Sequence, residues 1–151
     1  MKFSTRTLYG LKAVLVLASR FGEGSLSVSQ IAKKENISVA YLEQILNSLK
    51  KKGFVKSVRG PQGGYVLSKK PSEVSLMTLL HVLGDKNFLD FKGKFSITPE
   101  TDEISLANII FWKKFKTSIE TGLNEISLKD LINEARSLKK NKSRANYNFN
   151  I

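Results

Sequence analysis

Residues 54–68 read FVKSVRGPQGGYVLS, and this stretch narrows the possible folds more than any other in the chain. Two short runs of β-forming residues flank a turn containing Gly60, Pro61, Gly63 and Gly64. Glycines supply the positive φ values and the close backbone approach that a projecting tip requires. The pattern is a β-hairpin, and Arg59 stands just before its turn. It follows directly on a helical stretch ending in Lys50-Lys51-Lys52-Gly53. Read alone, the segment is either an ordinary surface hairpin or the wing of a winged helix-turn-helix.

What precedes the hairpin favours the wing. A first helix is expected over residues 5–21, with Leu8, Leu11, Leu15 and Ala18 along one face and Gly22 and Gly24 ending it. Ser27-Val28-Ser29-Gln30 is a capping box that opens a second, short helix. Ile31 and Ala32 point its core face inward, and Glu35-Asn36 close it. Ser38 caps a third helix running to about Lys52, whose buried stripe is Leu42, Ile45, Leu46 and Leu49. The opposite face shows Ala40, Tyr41, Glu43, Gln44, Asn47, Ser48 and Lys51. Two helices joined by a tight turn, the second with a long polar face, form a helix-turn-helix. The hairpin follows at once.

Charge points the same way. Residues 1–70 hold 13 Lys and Arg against three acids (Glu23, Glu35, Glu43), a balance of +10. Residues 71–151 hold 12 against 10, a balance of +2, which completes the net +12. Solubility charge would be spread evenly; this asymmetry directs the first half toward a polyanion. With no cysteine in the chain, disulfides, a thiolate nucleophile and all-cysteine metal sites are excluded. No stretch approaches 18 uninterrupted apolar residues, and the N-terminus shows no cleavage pattern of a secretory signal. The expectation is a soluble, cytoplasmic protein with no membrane partner.

The second half is organised differently. Ser75 caps a fourth helix over 76–83, ended by Gly84, and residues 85–98 (DKNFLDFKGKFSIT) read as a loop. Thr98-Pro99-Glu100 reads as a helix start, with Pro99 where a missing N–H costs nothing. The longest helix follows over about 103–122, carrying Ile104, Ala107, Ile110, Phe111, Phe115 and Ile119, with Leu123 just past its end. That apolar set is too broad for one small domain to cover, so the helix needs a partner surface. Ser127-Leu128-Lys129-Asp130 opens a last helix to about Leu138, and the polar, basic tail KKNKSRANYNFNI is expected to be disordered. The predicted fold is mainly α with a small β-hairpin: a winged helix-turn-helix DNA-binding domain over 1–84, a loop over 85–98, dimerisation helices over 99–137 and a basic tail over 138–151.

These residues carry a family resemblance. The run ISVAYLEQILNSLKKKGFVKSVRGPQGGYVLS, the opening FSTRTLYGLKAVLVLA, Trp112 and the later ISLKDL segment resemble the IscR/NsrR/CymR-type (Rrf-two) bacterial winged-helix transcription regulators. The resemblance spans roughly residues 1–137. It implies a homodimeric regulator of transcription, with repression the commoner outcome. Many members hold an iron–sulfur cluster through three cysteines in the loop before the long helix, often with a histidine shortly before the tryptophan. Here that loop has no cysteine, and Ile109 stands three residues before Trp112. The resemblance therefore implies the branch without a cluster or other cofactor. That branch includes regulators of cysteine metabolism that sense supply through a ligand or through a partner enzyme such as cysteine synthase. The one histidine, His81, reads as a packing or surface residue.

Within this reading the third helix enters the major groove of a near-palindromic operator. Glu43 can accept from a cytosine amino group at the cost of phosphate repulsion, and Gln44 can read adenine through its two-pronged amide. Ser38 and Tyr41 can bond phosphates or bases and fix register. Arg59 enters the minor groove, with Gly60, Gln62, Gly63 and Gly64 against the sugar-phosphate backbone. Lys50, Lys51, Lys52 and Lys56 neutralise phosphates or form a solvated basic face. Ile104, Ala107, Phe111, Phe115 and Ile119 form the dimer seam. Glu43, Gln44 and Tyr41 also admit the plainer reading of solvated helix residues.

Two rivals stay open. In one, a small molecule sits between the long helix and the loop, lined by Phe88, Phe91 and Phe95, although three phenylalanines also suit a core. In the other, the domain is a winged-helix protein-interaction module without sequence-specific DNA binding. An enzyme is disfavoured: there are no paired carboxylates at helix spacing and no metal-ligand cluster, and GPQGG lacks the lysine and helix of a phosphate loop.

Overall fold

The computed structural model describes residues 3–84 and 97–147. Among them the order is α1 (Thr5–Ser19), α2 (Val28–Glu35), α3 (Val39–Lys51), β1 (Val55–Val58), β2 (Gly64–Leu67), a 3-10 turn, α4 (Leu76–Leu83), α5 (Glu103–Glu125) and α6 (Leu128–Tyr147). This is the expected mainly α architecture with one hairpin. The pocket suggested for Phe88, Phe91 and Phe95 lies outside the described residues.

Helix starts follow the sequence closely. Ser4, Ser27, Ser38 and Ser75 each accept a hydrogen bond from the backbone N–H three residues on, satisfying a donor with no intrahelical partner. At α2 the reciprocal bond is present too, with Ser27 N–H donating to Gln30 Oε1 at 2.8 Å. The end of α3 is equally determined. Gly53, at φ +71°, turns the chain into the left-handed region. Its N–H donates to Lys50 O and that of Phe54 to Leu49 O, both at 2.9 Å. This double closure favours glycine, which takes a positive φ without strain, and it tucks Phe54 into the core.

The core lies among α1–α4 and the hairpin, and α6 adds to it. Ile31, Leu42, Ile45, Leu46, Leu49, Val55, Val74 and Leu79 are almost wholly buried, and Leu128 at the start of α6 joins them. The hairpin pairs Val55 with Leu67 and Val58 with Gly64, antiparallel. A third strand-like pairing adds to it: Tyr65 N–H donates to Leu26 O at 2.8 Å and Leu26 N–H to Tyr65 O at 3.1 Å.

The second half meets this head through the main chain. Leu76 N–H donates to Ile126 O at 2.9 Å, and Leu128 N–H donates to Val74 O at 3.0 Å. Two additional contacts support the junction. Ser75 Oγ donates to Asn124 Oδ1 at 3.3 Å, and the Arg136 guanidinium donates to Ser19 O at 3.0 Å.

Four local expectations are corrected. On α1 the buried face is Thr7, Gly10, Ala13, Val14, Val16, Leu17 and Ala18; Leu8 is exposed, and Leu11 and Leu15 are only half-buried. The alternative face wins because Gly10 and the small residues around it let α4 approach, with Leu83 resting where a Gly10 side chain would be. Pro99 sits in a turn, and α5 begins later under an Asp102 cap that accepts from Ile104 and Ser105 N–H at 3.0 and 3.1 Å. Leu123 lies inside α5 and not beyond it. Finally, helix α6 continues to Tyr147 across much of the segment expected to be disordered. Polar composition argued for disorder there, but Arg, Lys and Ala are good helix formers and extend a helix already nucleated by packing.

Candidate nucleic-acid interface

The exposed face of α3 is built by subtraction. Leu42, Ile45, Leu46 and Leu49 turn inward, so the same helix presents Glu43, Gln44, Asn47, Lys50 and Lys51 to solvent. Ser38 is exposed at the helix start, and its hydroxyl already accepts from Tyr41 N–H at 3.3 Å. Tyr41 is less free than expected. It is half-buried, with its ring edge-on to Tyr9 of α1 at 5.9 Å, so part of its surface is committed to holding α3 on α1.

Beside α3, the hairpin tip carries Arg59, Gly60 and Gln62, all exposed. The turn closes on itself, with Gly63 N–H donating to Gly60 O at 2.9 Å. A residue with no signature in the sequence supports it: Ser25 Oγ donates to Gln62 O at 2.5 Å, tying the tip to the loop before α2. Gly64 has a structural explanation of its own. A Cβ there would stand 2.2 Å from Leu26 O, so only glycine lets β2 pair with Leu26. Gly63 is similarly confined: a Cβ there would stand 2.7 Å from Val58 O.

Lys52 departs from the expected role of neutralising phosphate. Its ammonium donates to Val82 O at the end of α4, where unpaired helix carbonyls favour a cation. Lys50, Lys51 and Lys56 are exposed. His81 is exposed on α4.

Hairpin and helix are joined directly. Tyr65, 9% exposed, donates its hydroxyl to Asn47 Oδ1 at 3.1 Å. Burial, and after it the nearby Glu43 carboxylate, pushes that hydroxyl above the ordinary tyrosine range, so it remains a proton donor. Neither residue's part could be read from sequence, because strand and helix meet only in the folded chain.

The residues expected at a dimer seam are also on the surface. Ile104, Ala107, Phe111 and Phe115 are exposed on α5, while Ile119 is half-buried. Phe111 and Phe115 stack at 6.1 Å, and Trp112 meets both edge-on, at 5.1 and 5.9 Å. Monomeric surfaces seldom display such an aromatic cluster.

Metal chemistry can be tested against the donors present. The chain has no cysteine, Ile109 lies one turn before Trp112, and the described residues contain no group of three His, Asp or Glu able to hold a metal ion. This donor set does not fit an iron–sulfur cluster. Nor, among the described residues, is any helix long and apolar enough to cross a membrane.

The geometry has close counterparts among known proteins. The chain is 34% identical to the HTH-type transcriptional regulator CymR of Bacillus subtilis, over 87% of its length and 89% of the relative's. It is 31% identical to the HTH-type transcriptional regulator IscR of Serratia proteamaculans, over 88% and 80%. The structure of CymR, the global cysteine regulator of B. subtilis, superposes with a TM-score of 0.70 at 32% identity, covering 89% of this chain and 98% of that one. T. potens IscR follows at 0.69 and 37%, covering 89% and 88%. The family model described as "Rrf2: Iron-dependent Transcriptional regulator" matches residues 3–134. A winged helix-turn-helix head, relatives named as transcriptional regulators and a match across most of the length lead to one statement: this chain belongs to the Rrf2 family of transcriptional regulators.

Proposed function

We propose that the protein is a homodimeric, sequence-specific DNA-binding repressor that works without an iron–sulfur cluster. Its link is to cysteine metabolism, through a ligand or a partner enzyme such as cysteine synthase. The observation that carries the DNA-binding reading is the joined surface of α3 and the hairpin, with Glu43, Gln44, Lys51 and Arg59 exposed around the Tyr65–Asn47 bond. The cysteine link is supported by likeness to CymR, the global cysteine regulator of B. subtilis. The absence of cluster chemistry is supported by the donor set.

In this reading α3 lies in the major groove. Glu43 accepts from a cytosine amino group and Gln44 reads adenine, while Ser38 and Tyr41 set register from the helix start. Arg59 enters the minor groove beside the hairpin. Gly60, Gln62, Gly63 and Gly64 let the tip come close to the sugar-phosphate backbone, and Lys50, Lys51 and Lys56 neutralise phosphates. Two copies pair through Ile104, Ala107, Phe111, Phe115 and Ile119, which spaces the two α3 helices by about one DNA turn, ~34 Å, or a multiple.

Selection of bound sequences from random duplex DNA tests this, with purified protein at moderate ionic strength, with and without cysteine synthase. The expected result is a near-palindromic motif. Affinity for it should fall with salt as neutralisation of about six phosphates requires. Binding no tighter than to scrambled competitor under every condition overturns the reading.

A further inference from the structure

Asn47 has one side-chain direction already used and another left open. It lies one helical turn beyond Glu43 and three residues beyond Gln44, on the same exposed face of α3. Its Oδ1 accepts the Tyr65 hydroxyl, which reaches it from β2 across the helix–hairpin junction. Tyr65 belongs to the buried core cluster together with Leu67 and Val55, so its hydroxyl comes from a fixed position. A free asparagine on a helix can swing its amide either way and bind adenine through both ends at once. Here the oxygen end is held inward, and the amide N–H groups are what the residue offers outward.

We infer that Asn47 is a specificity-determining residue that donates to an acceptor on a base edge, guanine O6 or N7, next to the step read by Glu43 and Gln44, and that Tyr65 is the positioning residue that keeps its amide so oriented. This deepens the DNA-binding reading above and rests on it. Guanine offers two acceptors and no donor in the major groove, which matches a side chain restricted to donating. Glu43, which only accepts, matches cytosine. The two residues therefore select opposite members of a G·C pair, and the i, i+4 spacing lets each address a different step.

The arrangement also couples the wing to the reading face. The Tyr65 backbone is bonded on both sides to Leu26, ahead of α2, while its hydroxyl reaches α3. One residue thus connects the hairpin, the approach to α2 and the recognition helix. A displacement of the wing on DNA is passed to the amide that faces the bases.

The test is motif selection from random duplexes with wild type, Asn47→Ala, Asn47→Asp and Tyr65→Phe, each checked by thermal melting for an intact fold. Wild type should select guanine at one position per half-site. Asn47→Ala should lose that preference by about tenfold there and keep the rest of the motif, the size expected for a base-reading contact. Asn47→Asp retains an acceptor for Tyr65 but offers no donor, so the preference should move from guanine toward cytosine at that same position. Tyr65→Phe fills the same space without the hydroxyl and should blur the same position while leaving those set by Glu43 and Gln44. If Asn47→Ala selects the wild-type motif at every position, or only weakens binding uniformly, Asn47 is a wing anchor or phosphate contact and the inference is overturned. A wild-type protein that selects no motif overturns the DNA-binding reading itself, a separate outcome.

Discussion

Helices α3 and α5 both carry apolar residues at helical spacing, and the molecule treats them in opposite ways. In α3, Leu42, Ile45, Leu46 and Leu49 are each at most 1% exposed. In α5, none of 23 residues is buried, and Ile104 and Phe111 are 77% and 56% exposed. Period alone reports that a face must be covered; it does not say whether the cover comes from the same chain. The head covers its own. The long helix is left with an aromatic cluster that water does not suit.

That contrast can be broken at either end. The largest effect is expected from Phe111→Glu combined with Phe115→Glu. Charges at the proposed seam should leave the head folded but give a concentration-independent monomer in sedimentation, with operator affinity reduced by about 10²–10⁴-fold as the benefit of two linked sites is lost. A dimer unchanged by both charges would show that α5 is not the seam. Leu46→Ala in the head should act oppositely, lowering unfolding stability by about 2–5 kcal/mol in chemical denaturation while folded protein stays dimeric.

Smaller changes sharpen the division of labour within the head. Arg59→Ala should weaken operator binding by about 1–3 kcal/mol in a titration without altering the melting temperature, since its side chain is exposed. Glu43→Ala should leave affinity similar or higher and relax base choice; a selected motif identical to wild type would remove its reading role. The smallest effect concerns the start of α5. The Ser105 hydroxyl bond, with backbone N–H bonds, holds the Asp102 carboxyl below its ordinary value, so capping is fully present above the usual carboxylate range. It should fade as pH falls through that lowered value, seen as slight loss of helical circular dichroism that Asp102→Asn shows much less.

Much of the head was legible because its signals are local. Serine caps, the Ser27–Gln30 box and the Gly53 closure depend on residues within a turn of one another, and the structure places them as spacing predicts. What escaped depended on partners distant in sequence. Leu8, Leu11 and Leu15 have the more apolar stripe of α1, yet the smaller face with Gly10 is buried because α4 packs there. Lys52 belongs by composition with its basic neighbours, but the end of α4 takes it. Gly64 was expected from the turn, whereas its need comes from Leu26, 38 residues earlier. At the candidate site, the exposure of Glu43, Gln44 and Arg59 followed from the buried stripe and the turn, while the roles of Ser25 and Asn47 appear only in the fold.

The splice between residues 74–76 and 126–128 is made of peptide groups, which every amino acid supplies alike. Substitutions elsewhere on the long arm leave these two bonds in place, whereas Asn124, Arg136 and the buried Leu128 tie the arm to the head through their side chains. On the proposed pairing of two copies through that arm, the separation of operator half-sites would follow from the backbone, and the bases chosen within each half-site from individual side chains.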